Sequence, residues 1–133
     1  MKKLMSLFLA LSFTTTASAY VSGEAYWSEA GTDMSVDDQR ATLGCFARFH
    51  MDKTHDFIIL NMLGNSSVSD IDHVLGLDIE KDINFIEVGP KAVVRIYDNE
   101  DFVDYRGQIE AGTLYDDHDK LDVVDSFEVV CLD

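Results

Sequence analysis

Hydrophobic and polar positions alternate most clearly from Ala92 onward. Val94 and Ile96 face one way and Val93, Arg95 and Tyr97 the other, a period of two in β-branched and aromatic residues that predicts a strand with one buried face. Asp98-Asn-Glu-Asp101 breaks the pattern, and the chain resumes at Phe102 and turns around Gly107 and Gly112. It then crosses the acidic stretch Tyr115 to Asp122, and Asp125-Ser-Phe-Glu-Val-Val130 supplies a last alternating strand. Upstream, Cys45-Phe-Ala-Arg-Phe-His50 and Ile83-Asn-Phe-Ile-Glu-Val88 read as two more strands, the second running into a Gly89-Pro90 turn. Residues 66 to 72, small and acidic, predict a short helix or a loop. Near the start, Tyr20 to Trp27 reads as an extra strand, either covering a sheet edge or offering an aromatic binding patch. Ser35-Val-Asp-Asp38 has the spacing of a helix cap, so residues 37 to 42 form either one or two helical turns or a loop. The expected class is all-β.

The order of these residues resembles the βγ-crystallin Greek key, whose repeat opens with a strand ending in Tyr, folds a hairpin back to a Phe, and closes with a Ser-bearing strand. The corresponding residues are Tyr97, Phe102 and Ser126. Where the family places Gly two residues after the hairpin Phe, this chain has Asp104, a residue type that tolerates positive φ better than most. One Greek key cannot bury its own inner face, so the resemblance implies two: a motif A at about 44–89 and a motif B at about 90–131, packed as a β-sandwich, with residues 20–43 as an N-terminal extension. In motif A the hairpin Phe57 is followed by Ile58 and Ile59 rather than glycine, and Phe85 replaces the second Ser.

The first nineteen residues change the picture of where the chain works. Met1-Lys-Lys3, the apolar run Leu4 to Phe13 and Ala17-Ser-Ala19 read as a secretory signal peptide cleaved after Ala19. The expected location is secreted or, in a Gram-negative host, periplasmic. The apolar run is too short to span a bilayer, so no membrane insertion is expected. Removing Lys2 and Lys3 leaves eight basic against 25 acidic residues, a net charge of −17, which disfavours nucleic acid and anionic membranes as partners. Such acidity serves solubility, divalent cations or a basic protein partner. Export also makes a Cys45–Cys131 disulfide the expected state of the only two cysteines. It would close a loop of about 86 residues, which chain entropy values at roughly 4 to 5 kcal/mol.

Candidate chemistry sits in the acidic loops. Asp98 to Asp125 holds ten carboxylates against Arg106 and Lys120, either a solvated end of a sheet or a source of the oxygen ligands calcium requires. The family resemblance implies calcium sites formed by an Asn/Asp pair, two spacers and Ser/Thr-Ser. The matching stretches are Leu121-Asp122-Val-Val-Asp125-Ser126 and Glu80-Lys81-Asp-Ile-Asn84-Phe85. Asn84, Asp122 and Asp125 are therefore the candidate metal ligands, while Ser126 is expected to fasten its own hairpin. His50, His55, His73 and His118 have no zinc spacing. No nucleophile, base and oxyanion constellation is visible. The expected role is a non-enzymatic, monomeric binding or structural protein, with calcium as its ion. The alternative is an acidic inhibitor or neutraliser of a basic exported enzyme such as a lysozyme, a peptidase or a toxin.

Overall fold

A computed structural model describes residues 20–133, and the expected signal sequence lies outside the described residues. Among the described residues eight strands form: β1 (Val21–Ser28), β2 (Phe46–Met51), β3 (Ile59–Val68), β4 (Ile83–Val88), β5 (Ala92–Asn99), β6 (Val103–Ile109), β7 (Leu114–Tyr115) and β8 (Ser126–Cys131). Two short α-helices, α1 (Val36–Thr42) and α2 (His118–Leu121), and two 3-10 turns, Lys53–His55 and Glu100–Phe102, join them. All pairings are antiparallel, in the order β6-β5-β8-β3-β2-β4-β7, with β1 also on β3.

The ten-residue β3 explains how this one ladder becomes a sandwich. Its first half, Ile59 to Leu63, pairs with β2, whereas Ser66 to Val68 pair with β8. Gly64 between them has φ 68°, a conformation that costs glycine nothing. The ladder folds over there, and Phe49 on β2 stacks against Phe127 on β8 with ring centroids 4.1 Å apart. Each motif thus lends a strand to the other: β3's second half joins motif B, and β7 pairs with β4 of motif A. The expectation of a helix or loop at 66–72 is corrected accordingly, because Ser66, Ser67 and Val68 complete β3. Val68 enters the core, and the two small serines before it suit a strand that lies between β1 and β8.

Alternation decides what is buried. Val94 and Ile96 of β5 and Phe127 and Val129 of β8 enter the core, joined by Phe49, Leu60, Met62 and Ile86 from the other layer. Burying a side chain of this kind contributes about 1.5 to 3 kcal/mol. The Cys45–Cys131 disulfide is formed with its Cα atoms 5.3 Å apart, tying the residue before β2 to the end of β8.

Residues 20–43 are built into the fold rather than appended to it. β1 pairs with both halves of β3, from Val21 opposite Val68 to Ser28 opposite Ile59, with a bulge between Ser22 and Glu24. Gly23 sits in that bulge, where an added Cβ would stand 2.6 Å from the Asn65 carbonyl oxygen. Ala25 and Trp27 point into the core, so Trp27 serves packing, whereas Tyr26 lies on the opposite face of β1. Ser35 caps α1 by accepting the Asp38 N–H, as its spacing predicted. Among the described residues no helix is long and apolar enough to cross a membrane.

Candidate metal centre

The hairpin of each motif turns through the same backbone states. Asp56 and Phe57 in motif A, and Asp101 and Phe102 in motif B, all have φ between 52° and 61°. In motif B the turn is latched. The buried Ser126 hydroxyl donates to the Asn99 carbonyl at 2.6 Å and accepts the Phe102 N–H at 3.0 Å. Tyr97 packs its ring edge-on to Phe102, and its hydroxyl donates to Glu128 at 2.6 Å. Burial first and this carboxylate second push the phenol up to about 12. Asp104 adopts φ 62°, the left-handed state anticipated where glycine usually stands, and accepts a hydrogen bond from the Asn99 amide.

Motif A lacks the latch. Ile59, the counterpart of Asp104, is a buried strand residue, and Phe85 stacks on His50 at 4.1 Å instead of reaching its hairpin. Its hairpin is held by the backbone, Asp52 N–H donating to the Asp82 carbonyl at 2.8 Å, and by His55 Nδ1 lying 3.0 Å from the Asp82 carboxylate. Burial first, then Asp52, push the Asp82 carboxyl up from its usual range.

The loop from Ser69 to Asp82 is fastened to motif B. Asp101 N–H donates to the Ser69 carbonyl and Ile71 N–H to the Asp125 carbonyl, both at 2.9 Å. These bonds bring together carboxylates that are remote in sequence. Oxygens of Asp70, Asp72 and Glu100 lie within 4.8 Å of one another, as do those of Asp72, Asp78 and Glu80. Asp72 belongs to both groups. One of its oxygens, Oδ1, is buried without a hydrogen-bond partner. Burial first, then Asp78, Glu80 and Asp70, push its carboxyl up, and Asp125 is raised by burial and then by Asp72, Asp98, Glu100 and Asp70. Calcium takes oxygen ligands at about 2.4 Å, so two ligands of one ion lie no more than about 4.8 Å apart. Both groups meet that limit, and a shared carboxylate with an unsatisfied oxygen is the donor a hard cation would use. The residues present therefore fit calcium.

The three ligands anticipated from sequence do not gather in one place. Asp125 lies in the field of this acidic centre, next to its first group. Asp122 is exposed at the C-terminus of α2, and Asn84 lies on β4, where its carbonyl receives His118 Nε2 at 2.9 Å. The sequence alone did not single out Asp70, Asp72, Asp78 or Glu80, and took in Glu100 only as one of the ten carboxylates between Asp98 and Asp125. The available signal was the density of carboxylates in 70–80 and 98–101. The histidines are engaged separately: His50 with Phe85 and Glu87, His55 with Asp82, His73 with Tyr20 and Asp70, His118 with Asn84.

No protein-family model matches this sequence, and no curated protein matches it either. Among solved structures the chain is similar to one described under "Evolution of the eye lens beta-gamma-crystallin domain fold", with a TM-score of 0.59 and 15% identity over 83% of this chain and 100% of that one. A likeness to the N-terminal domain of protein S has a TM-score of 0.45 and 21% identity, over 65% of this chain and 94% of that one. The architecture is thus a βγ-crystallin fold: two Greek keys exchanging strands, preceded by an extra strand and helix.

Proposed function

We propose that this βγ-crystallin fold serves as an exported, non-catalytic binding protein whose inter-motif acidic centre takes up calcium. The observation that carries the reading is Asp72, a carboxylate common to two converging groups with one buried oxygen unpartnered. Around it, the loop after β3 contributes Asp70, Asp78 and Glu80, and the motif B hairpin contributes Glu100. Calcium would supply the positive charge that lets these carboxylates stay ionised side by side. Asp70 is also positioned by local structure, its Oδ1 accepting the Asp72 N–H at 2.9 Å. Asp78 Oδ1 likewise accepts the Glu80 N–H at 3.0 Å.

Binding would act through linkage. An ion that prefers the folded state stabilises it by RT ln(1 + [L]/Kd), about 2.7 kcal/mol at a hundred times Kd. Because the centre joins a motif A loop to a motif B hairpin, that energy would hold the two motifs together. Isothermal calorimetry of the disulfide-bonded chain with calcium chloride tests the reading. Saturable calcium binding that weakens at least about tenfold in Asp72→Asn is expected from loss of a charged ligand; unchanged binding by that variant would falsify the assignment.

A further inference from the structure

On the far side of the motif A layer, residues 20–43 and the outer faces of β2 and β3 line a half-open pocket of about 360 Å³, a volume at the lower end of small-molecule pockets. The repeats alone would not form it. Strand register places Tyr26, Asn61, Arg48 and Glu87 side by side across β1, β3, β2 and β4 on the face opposite the core. The segment before α1 then covers them. Arg48 is only 5% exposed and Asn61 1%.

The floor of the cavity is built from these two side chains. Arg48 Nε donates to Asn61 Oδ1 at 2.8 Å, Nη2 donates to the Thr32 carbonyl, and Nη1 faces Glu87 at 3.6 Å. Two of its five N–H groups are thereby hydrogen-bonded, leaving donor capacity in a buried guanidinium. The rim has the opposite chemistry, with Glu24, Asp33 and Asp38 providing carboxylates. Asp38 accepts the Tyr26 hydroxyl, which fixes the Tyr26 ring as a side wall.

The order of charges selects the ligand. A cation attracted by the rim meets the Arg48 guanidinium at the floor, and an anion suited to Arg48 must first pass three carboxylates. A neutral molecule carrying many hydroxyls satisfies both: its O–H groups donate to the rim, and its oxygens accept from the remaining Arg48 N–H groups, Asn61 being spent on Arg48, Tyr26 and Ser28. A ring with an apolar face would lie against Tyr26. We propose that this cavity binds a saccharide, one neutral sugar unit with its hydroxyls spread between the acidic rim and the Arg48 floor.

The test is amide and arginine side-chain NMR of the full disulfide-bonded chain, titrated with glucose, galactose, N-acetylglucosamine and their disaccharides, with ethylammonium and acetate as charged controls. A saccharide at millimolar concentration is expected to give saturable shifts confined to β1, residues 32–38 and the Arg48 Nε signal. The exposed Asp33 and Glu24 make Asp33→Ala and Glu24→Gln suitable variants, expected to fold normally and to weaken binding about tenfold each. Asp72→Asn should leave saccharide binding intact, which separates this site from the acidic centre. Absence of saturable shifts with every sugar overturns the proposal. So does tighter binding of ethylammonium or acetate, or full affinity retained by both rim variants.

Discussion

The two Greek keys reach the same hairpin geometry by different means. Motif B closes its turn with side chains, the Ser126 hydroxyl bridging Asn99 and Phe102 while Asp104 takes the left-handed position. Motif A closes its turn with backbone, through Asp52 and Asp82, and spends its loop on carboxylates that converge toward motif B. A hairpin whose φ values are already satisfied by its own turn needs only one anchor, and the anchor's chemistry is free to vary. The lesson is that the positive-φ pair, Asp56-Phe57 against Asp101-Phe102, is the feature the repeats share.

The largest expected effect cuts what both motifs depend on. Replacing Cys45 and Cys131 together by Ser should lower stability by about 2 to 5 kcal/mol, read from chemical denaturation, because their link spans 86 positions. Next comes the latch. Ser126→Ala should cost about 1 to 3 kcal/mol by removing the buried hydroxyl that bridges the Asn99 carbonyl and the Phe102 N–H. Phe85→Ala, at the counterpart in motif A, removes only a partly buried stack on His50 and should cost less. Equal losses at the two sites would mean that the motifs are anchored alike.

Smaller again is the contrast at the glycine position. Asp104→Gly should be more stable than Asp104→Ala by about 1 to 2 kcal/mol, since alanine pays the full left-handed penalty at φ 62°. At Ile59 the order should reverse, alanine exceeding glycine, because that residue is a buried strand position outside the positive-φ set.

A pH profile sharpens the comparison electrostatically. Asp72, Asp82 and Asp125 all have carboxyls raised by burial, with neighbouring carboxylates adding to the effect. A raised folded-state pKa means that the folded protein binds more protons than the unfolded chain between the two pKa values. Without calcium, these groups should therefore make stability rise as pH falls from neutral through their folded pKa values, down to the unfolded carboxylate range near about 4. Calcium should flatten that rise for Asp72 and Asp125 by stabilising their ionised forms. Thermal melts across this pH range, with calcium and with chelator, check both statements.

Much of the fold was legible because it rests on local pattern. The alternation in β5 and β8, the Gly89-Pro90 turn, the Ser35 cap, the Ser126 latch and the cysteine pair all appear where their residue types predicted. What was missed is non-local. Ser66 to Val68 look like a loop in isolation and become strand because β1 and β8 flank them. The carboxylates of Asp72 and Glu100 are 28 positions apart and meet only because the ladder folds at Gly64 and the loop after β3 docks on the motif B hairpin. Arg48, on the face of β2 opposite the core, is buried because the segment around Thr32 covers it. In each case the deciding contact comes from the exchange of strands between motifs or from the added layer, neither of which has a local period.

The most direct measurement follows the melting temperature of the disulfide-bonded chain during calcium titration, in the natural sequence, Asp72→Asn and Asp122→Asn. If the acidic centre between the motifs is the site, calcium raises the melting temperature, Asp72→Asn abolishes the rise and Asp122→Asn keeps it. No rise in the natural sequence, or a rise lost in Asp122→Asn and kept in Asp72→Asn, contradicts the account.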